Sequence, residues 1–150
     1  MTYTCTTPRF GPVHYTDDDV ISLDKGIVPF VAATRFVLLH NEDEEPFAWL
    51  QSIEDAALAF AVAPLDLLFP DHAEKVRISL EQREDGRLPS TAVIYGIVVL
   101  HADPAQMSVN LLAPLVIDMG AMVGRQLVLD ASLQLARQPL QTILGELVPA

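Results

Sequence analysis

The apolar residues of this chain come in short runs closed off by turn formers, a spacing that suits strands and leaves little room for long helices. Arg35 to His40 and Phe47 to Ile53 are separated by Asn41-Glu42-Asp43-Glu44-Glu45-Pro46, a charged connector of hairpin-loop type. In the second run Phe47, Trp49 and Gln51 share one face, with Ala48, Leu50 and Ser52 on the other. After a turn at Glu54-Asp55, Leu58 to Val62 makes another apolar strand. Thr91 to Leu100 is rich in β-branched residues and reads as a central strand; its apolar part, from Ala92 on, is about half the ~20 residues that a membrane helix needs. Nearer the start, Arg9 to Tyr15 and Asp19 to Leu23 look like an opening hairpin, before Lys25-Gly26 and Pro29 break the chain.

Two prolines, Pro64 and Pro70, bound a segment that fits one short helical turn. Beyond it, Glu74 to Leu80 reads as a strand, with Glu81 to Arg87 as a solvated loop. His101-Ala102-Asp103-Pro104 is a turn that either exposes Asp103 or has it cap a helical turn through Gln106. Ser108 to Leu112, Leu115 to Met119 and Gln126 to Leu129 supply further strands, Pro114 marks a bulge or edge, and Gly120 and Gly124 bracket the last hairpin loop. Apolar residues at 140, 143, 144, 147 and 148 fit one face of a short C-terminal helix over 139–148. About nine short strands with one or two short helices, and no ~10–15-residue helix between successive strands, predict an all-β, mainly antiparallel, single-domain barrel or β-roll over residues 1–150.

With 51% hydrophobic and 19% charged residues, the chain has ample apolar material for one core. Twenty acidic against nine basic residues give a formal charge of −11, which disfavours direct nucleic-acid binding by counterion release and favours encounter with a basic protein. The N-terminal residues lack a basic segment followed by an apolar one, so a cytoplasmic protein is expected. The lone cysteine, Cys5, excludes an internal disulfide and is expected as a free thiol near a mobile end.

Chemistry-bearing patterns are few. His14, His40, His72 and His101 lie far apart without metal-ligand spacing, and the acidic runs Asp17-Asp18-Asp19 and Glu42 to Glu45 lack the calcium-loop pattern and read as solvated turns. No nucleophile elbow, phosphate loop or dinucleotide fingerprint is present, so no catalytic residue, metal or cofactor is expected. Rival readings are a small β-barrel enzyme or ligand pocket using His101 with Asp103 or His72 with Asp71, and a structural module that self-associates through Phe69 or the tail. Gln51 and Asn110 stand out as amides embedded in apolar strands, where each needs a backbone partner or a binding role.

Phe10-Gly11, Asp19-Val20-Ile21, Gly26-Ile27 and Arg35 to Leu39 resemble the opening of the flagellar assembly factor FliW family. Pro46 to Val62, with Trp49-Leu50-Gln51-Ser52, is similar to its central signature, followed by Phe69-Pro70-Asp71, and Asn110-Leu111-Leu112-Ala113-Pro114 to its second. Pro29, Ala56, His72, Leu135 and Gln138 depart from the residues more usual there. The resemblance implies a non-enzymatic cytoplasmic regulator, monomeric when free, that binds flagellin and the translational regulator CsrA and relieves repression of flagellin synthesis. Candidate contacts within the signature blocks are Gln51, Glu54, Asp55, Phe69, Pro70, Asn110, Leu111 and Pro114.

Overall fold

A computed structural model describes residues 1–84, 88–100, 102–128 and 138–139. The strands are β1 (Thr2–Thr7), β2 (Gly11–Thr16), β3 (Val20–Asp24), β4 (Arg35–His40), β5 (Ala48–Ser52), β6 (Ala59–Pro64), β7 (Ala92–Val99), β8 (Ser108–Asp118), β9 (Val123–Gln126) and β10 (Gln138–Pro139). Helices α1 (Leu65–Leu68) and α2 (Pro70–Glu84) lie between β6 and β7. Strands β3 to β8 pair in sequence order and antiparallel. Strand β9 then pairs antiparallel with β8 and parallel with β3, which closes a seven-stranded barrel, as the short-strand pattern predicts. The pairing of β1 with β2 forms a separate two-stranded sheet.

Closure gives the barrel strands two buried faces. Ile21, Leu23, Phe36, Leu50, Val62, Tyr95, Leu115 and Ile117, one or two from each of six strands, form the inner cluster. On the outer face Trp49, Ala61, Ile94, Val98, Val109 and Val116 pack with Leu65 and Leu68 of α1 and Ala73, Val76 and Leu80 of α2. Burying each such Leu, Ile or Phe contributes about 1.5–3 kcal/mol before chain entropy is set against it. This double burial is why all five residues of β5 are buried and why its sequence reads as a nearly continuous apolar run.

Gly96 shows how tightly the outer layer is packed, because a Cβ there would lie 2.5 Å from Val109 Cγ2 and 2.7 Å from Leu65 Cδ2. The register of β8 slips at the same level: Ile97 faces Asn110 but Tyr95 faces Leu115, so Leu111 to Pro114 stand opposite Gly96 alone. Three extra residues reverse the alternation. Val109 and Leu111 face the helices, whereas Leu115 and Ile117 face the barrel interior. The bulge expected at Pro114 is therefore present, within one strand rather than between two.

Other expectations are corrected. Glu74 to Leu80 is helix, not strand, and α2 runs on through the first part of the expected 81–87 loop. Its apparent two-residue alternation rests on Ile78, which is 48% exposed, while the buried Ala73, Val76 and Leu80 follow helical spacing behind a first-position proline. The opening hairpin joins β1 to β2, not β2 to β3, and places the free thiol of Cys5 half-buried in a strand opposite Val13. The last barrel strand begins at Val123, three residues earlier than expected, so Gly124 lies within it. Asp118 caps the turn before it: Oδ1 accepts from the Thr91 hydroxyl and from Gly120 N, and these bonds, the Thr91 one foremost, hold its carboxyl below the usual range. At the expected C-terminal helix, Pro139 belongs to β10, opposite Ser108, and positions 140–148 lie outside the described residues.

Candidate partner-binding surface

The eight residues singled out in the sequence fall into two groups. Gln51, Glu54 and Asp55 belong to the turn between β5 and β6. Gln51 points to the outer face yet is fully buried, and its Nε2 donates to the carbonyls of Ser52 (2.9 Å), Ala56 (3.0 Å) and Leu58 (3.1 Å). Only the amide nitrogen can serve three carbonyls, which fixes the orientation and leaves Oε1 without a partner. Gln51 thus shapes the turn from inside and presents no surface of its own. The Ser52 hydroxyl accepts from Asp55 N at 2.9 Å and Glu54 N at 3.2 Å, and Asp55 Oδ1 accepts from Ala57 N at 3.2 Å.

Glu54 and Asp55 are exposed, but Glu54 is also anchored. Its Oε1 accepts from Thr34 N at 2.8 Å and Arg35 N at 2.9 Å, and the Thr34 backbone bond is the main reason its carboxyl titrates below its ordinary value. The clasp fastens one end of the loop between β3 and β4. At the other end Val28 N donates to Gln126 Oε1 at 2.8 Å, and Gln126 Nε2 donates onward to the Ala113 carbonyl at 3.3 Å. Gly26 lets the loop fold over itself: it sits at φ +63°, and a Cβ there would lie 2.6 Å from the carbonyls of Phe30 and Ala33. The loop leaves Val28, Phe30 and Val31 exposed at 62%, 46% and 55%. Between it and the β5–β6 turn runs a groove of about 340 Å³, lined by Pro29 to Ala33 and Leu58 with Glu54 and Asp55 on its rim.

The second group is divided between the start of α2 and the β8 bulge, which His72 joins. His72 is buried, and its Nε2, as the donor, bonds the Leu111 carbonyl at 2.9 Å. Phe69, half-buried, caps α1, and its carbonyl receives Ala73 N at 2.9 Å to start α2. Pro70 is exposed, Leu111 and Pro114 are buried, and Asn110 is half-buried with Oδ1 accepting from Leu112 N at 3.0 Å. Of this group Pro70 is the exposed residue, and Phe69 and Asn110 are half-buried. The Nε2 of His72 is taken by Leu111 and its Nδ1 is buried without a hydrogen-bond partner, so the ring does not pair with the exposed Asp71 as an enzymatic reading needs; His101 lies outside the described residues.

A third surface lies over Trp49, where Phe10 packs edge-on at 5.5 Å and the Arg9 guanidinium stands 4.5 Å from the ring centroid. Its rim carries Glu42, Asp43 and Glu44. Among the described residues no group of three or more His, Cys, Asp or Glu is placed to hold a metal ion, and no helix is long and apolar enough to cross a membrane.

Sequence reasoning missed the Val28–Ala33 loop, His72 as a clasp and Gln126 as a bridge. The loop carried a signal, an uncharged apolar run between Gly26 and Arg35, but Pro29 made it read as a mere chain break. Gln126 carried none, because its two partners are distant in sequence.

The family model for the FliW protein matches residues 4–140. The chain is 35% identical to the flagellar assembly factor FliW of Bdellovibrio bacteriovorus, over 95% of this chain and 82% of that protein. With the factor of the same name from Geobacter sulfurreducens it shares 33% identity, over 89% and 84% of the two chains. A crystal structure of the flagellar assembly factor FliW superposes with a TM-score of 0.78 over 92% of this chain and 96% of the other, at 24% identity, a likeness of fold. The chain belongs to the FliW protein family.

Proposed function

We propose that this protein is a flagellar assembly factor that acts by binding other proteins in the cytoplasm, namely flagellin and the translational regulator CsrA, and that it relieves CsrA repression of flagellin translation without performing catalysis. The observation that carries the reading is the exposed, uncharged loop Val28 to Ala32 set against the acidic turn Glu54-Asp55 on a chain of formal charge −11. Large apolar side chains left in water beside a polar rim mark interaction surfaces. The negative charge steers a basic RNA-binding protein toward that surface and repels RNA, so antagonism proceeds by protein contact. Family membership and the likeness to flagellar assembly factors support the same reading. Glu54, Asp55, Phe69, Pro70 and Asn110 are the proposed contacts from the signature blocks, with Gln51, Leu111 and Pro114 holding the backbone beneath them.

Calorimetric titration of the purified protein with CsrA, and separately with flagellin, of the same organism tests the proposal. Saturable binding of CsrA that weakens between low salt and ~0.1 M, where the Debye length falls to ~10 Å, is the expected result. Absence of binding to both proteins at either salt refutes it.

A further inference from the structure

We infer that the groove between the Val28–Ala33 loop and the Glu54–Asp55 turn docks an extended protein segment in which one or two aliphatic side chains are flanked by lysine or arginine. The inference deepens the partner-binding reading above, since it names the chemistry of the segment that fills this surface. Its floor is apolar, with Phe30 packed edge-on against Phe60 at 5.8 Å and Leu58 closing the far side. That contact gives Phe30 a defined place while nearly half its surface stays in water.

Size and charge choose the occupant. At about 340 Å³ the groove is at the small end for binding pockets, enough to seat a side chain or two and not a helix or a sheet. The rim carries two carboxylates. Glu54 is held in its charged form by the Thr34 and Arg35 backbone amides, and Asp55 is exposed. Arg35 is the basic side chain beside Glu54, and it lies in the adjoining strand rather than in the groove lining. A cation entering next to an aliphatic anchor therefore meets net negative charge, whereas an acidic segment or an anionic lipid headgroup is repelled.

The loop is also prepared for a docked ligand. Glu54 fixes its C-terminal end and Gln126 its N-terminal end, so little ordering remains when the groove is filled.

The test is methyl NMR of the labelled full chain, titrated with an acetylated, amidated octapeptide of alternating lysine and leucine. Saturable shifts centred on the methyls of Val31, Ala33 and Leu58 are expected. Serine in place of leucine should weaken binding about tenfold or more, the effect of losing one buried aliphatic side chain, and glutamate in place of lysine about threefold or more at low salt. Val31→Ser, at an exposed position that leaves the fold intact, should weaken the parent peptide while Leu67→Ser on α1 does not. Shifts spread equally over the acidic turns at 17–19 and 42–45, equal affinity for the serine peptide, or co-sedimentation with anionic vesicles in place of peptide binding would each overturn the inference. Failure of both CsrA and flagellin to bind while the peptide shifts the groove methyls would refute the proposed function and leave the groove assignment standing.

Discussion

Replacing Gln51 by methionine or by glutamate separates the two things its side chain does. The amide nitrogen has two hydrogens and three carbonyl acceptors within 3.1 Å. Two net hydrogen bonds at about 1 kcal/mol each are lost in Gln51→Met, and removing the unpartnered Oε1 returns about 1 kcal/mol of that. The net cost is about 1 kcal/mol, or roughly 3 °C in Tm for a chain of 150 residues.

Gln51→Glu keeps the shape and inverts the chemistry, because a carboxylate has no proton to offer the three carbonyls and is buried among them. An uncompensated buried charge costs about 3–5 kcal/mol, which pushes the new carboxyl toward its protonated form and raises its folded-state pKa. Above the unfolded value of about 4.3 the folded state then binds more protons than the unfolded one, so stability falls as pH rises, by at most about 1.4 kcal/mol per unit, and levels off beyond the folded pKa. Near pH 4 the protonated acid still donates one bond and Gln51→Glu should resemble Gln51→Met; at pH 7 it should lie about 2–4 kcal/mol below it. Urea unfolding followed through Trp49, the one tryptophan, gives both values. If the two variants are equally stable at pH 7, or the glutamate variant shows no pH dependence of its own, the amide is not the clasp of the β5–β6 turn.

The anchor at Glu54 predicts an acid-side effect of the opposite sign. Its folded pKa is lowered, so its contribution is complete above the unfolded value and disappears as pH falls through the folded one; Gln at this position should destabilise at pH 7 by less than about 1 kcal/mol, given its exposure, with the gap closing below about pH 4 in parallel urea titrations. His72→Leu leaves the buried Leu111 carbonyl without its donor but also removes the unpartnered Nδ1, and should cost about 1 kcal/mol by urea unfolding; an unchanged or raised stability would show that the α2–β8 clasp is dispensable. Gln126→Leu frees Val28 N, and native-state hydrogen exchange at that amide should speed roughly tenfold with global stability nearly unchanged; unaltered exchange would show that the loop is held by other means.

The barrel was legible because its signals are local. Hairpin connectors, prolines and runs of β-branched residues act within a few positions, and β4 to β7 lie near the predicted segments. Failures came where one pattern served two periods. Val76, Ile78 and Leu80 alternate like a strand, and only the contact of Ala73, Val76 and Leu80 with the outer sheet decides for a helix. Likewise the threonine-rich β1 offered no apolar alternation, since only Thr7 of its residues is fully buried and its partner is the neighbouring hairpin arm. For the candidate site, polar residues in apolar strands pointed correctly to constrained backbone but not to exposure. Gln51 and Leu111 turned out to be supports, and the exposed apolar groups lie in a loop with no unusual residue type.

The two signature blocks are mechanically joined although they are far apart in sequence. Glu54, in the first, holds the Thr34–Arg35 end of the apolar loop, and Gln126 holds its Val28 end while also bonding the Ala113 carbonyl within the bulge of the second block. Leu127 N bonds the Pro114 carbonyl at 2.9 Å, and on the far side of the bulge His72 bonds Leu111. A displacement of the bulge therefore pulls on the same Gln126 side-chain amide that fixes the loop, through side-chain bonds each worth about 1 kcal/mol. Bonds of that size break and reform at little cost, while the closed barrel beneath them resists deformation. The fold thus places its adjustable contacts in one chain across the surface, from α2 through the bulge to the groove, and keeps the rigid ones inside.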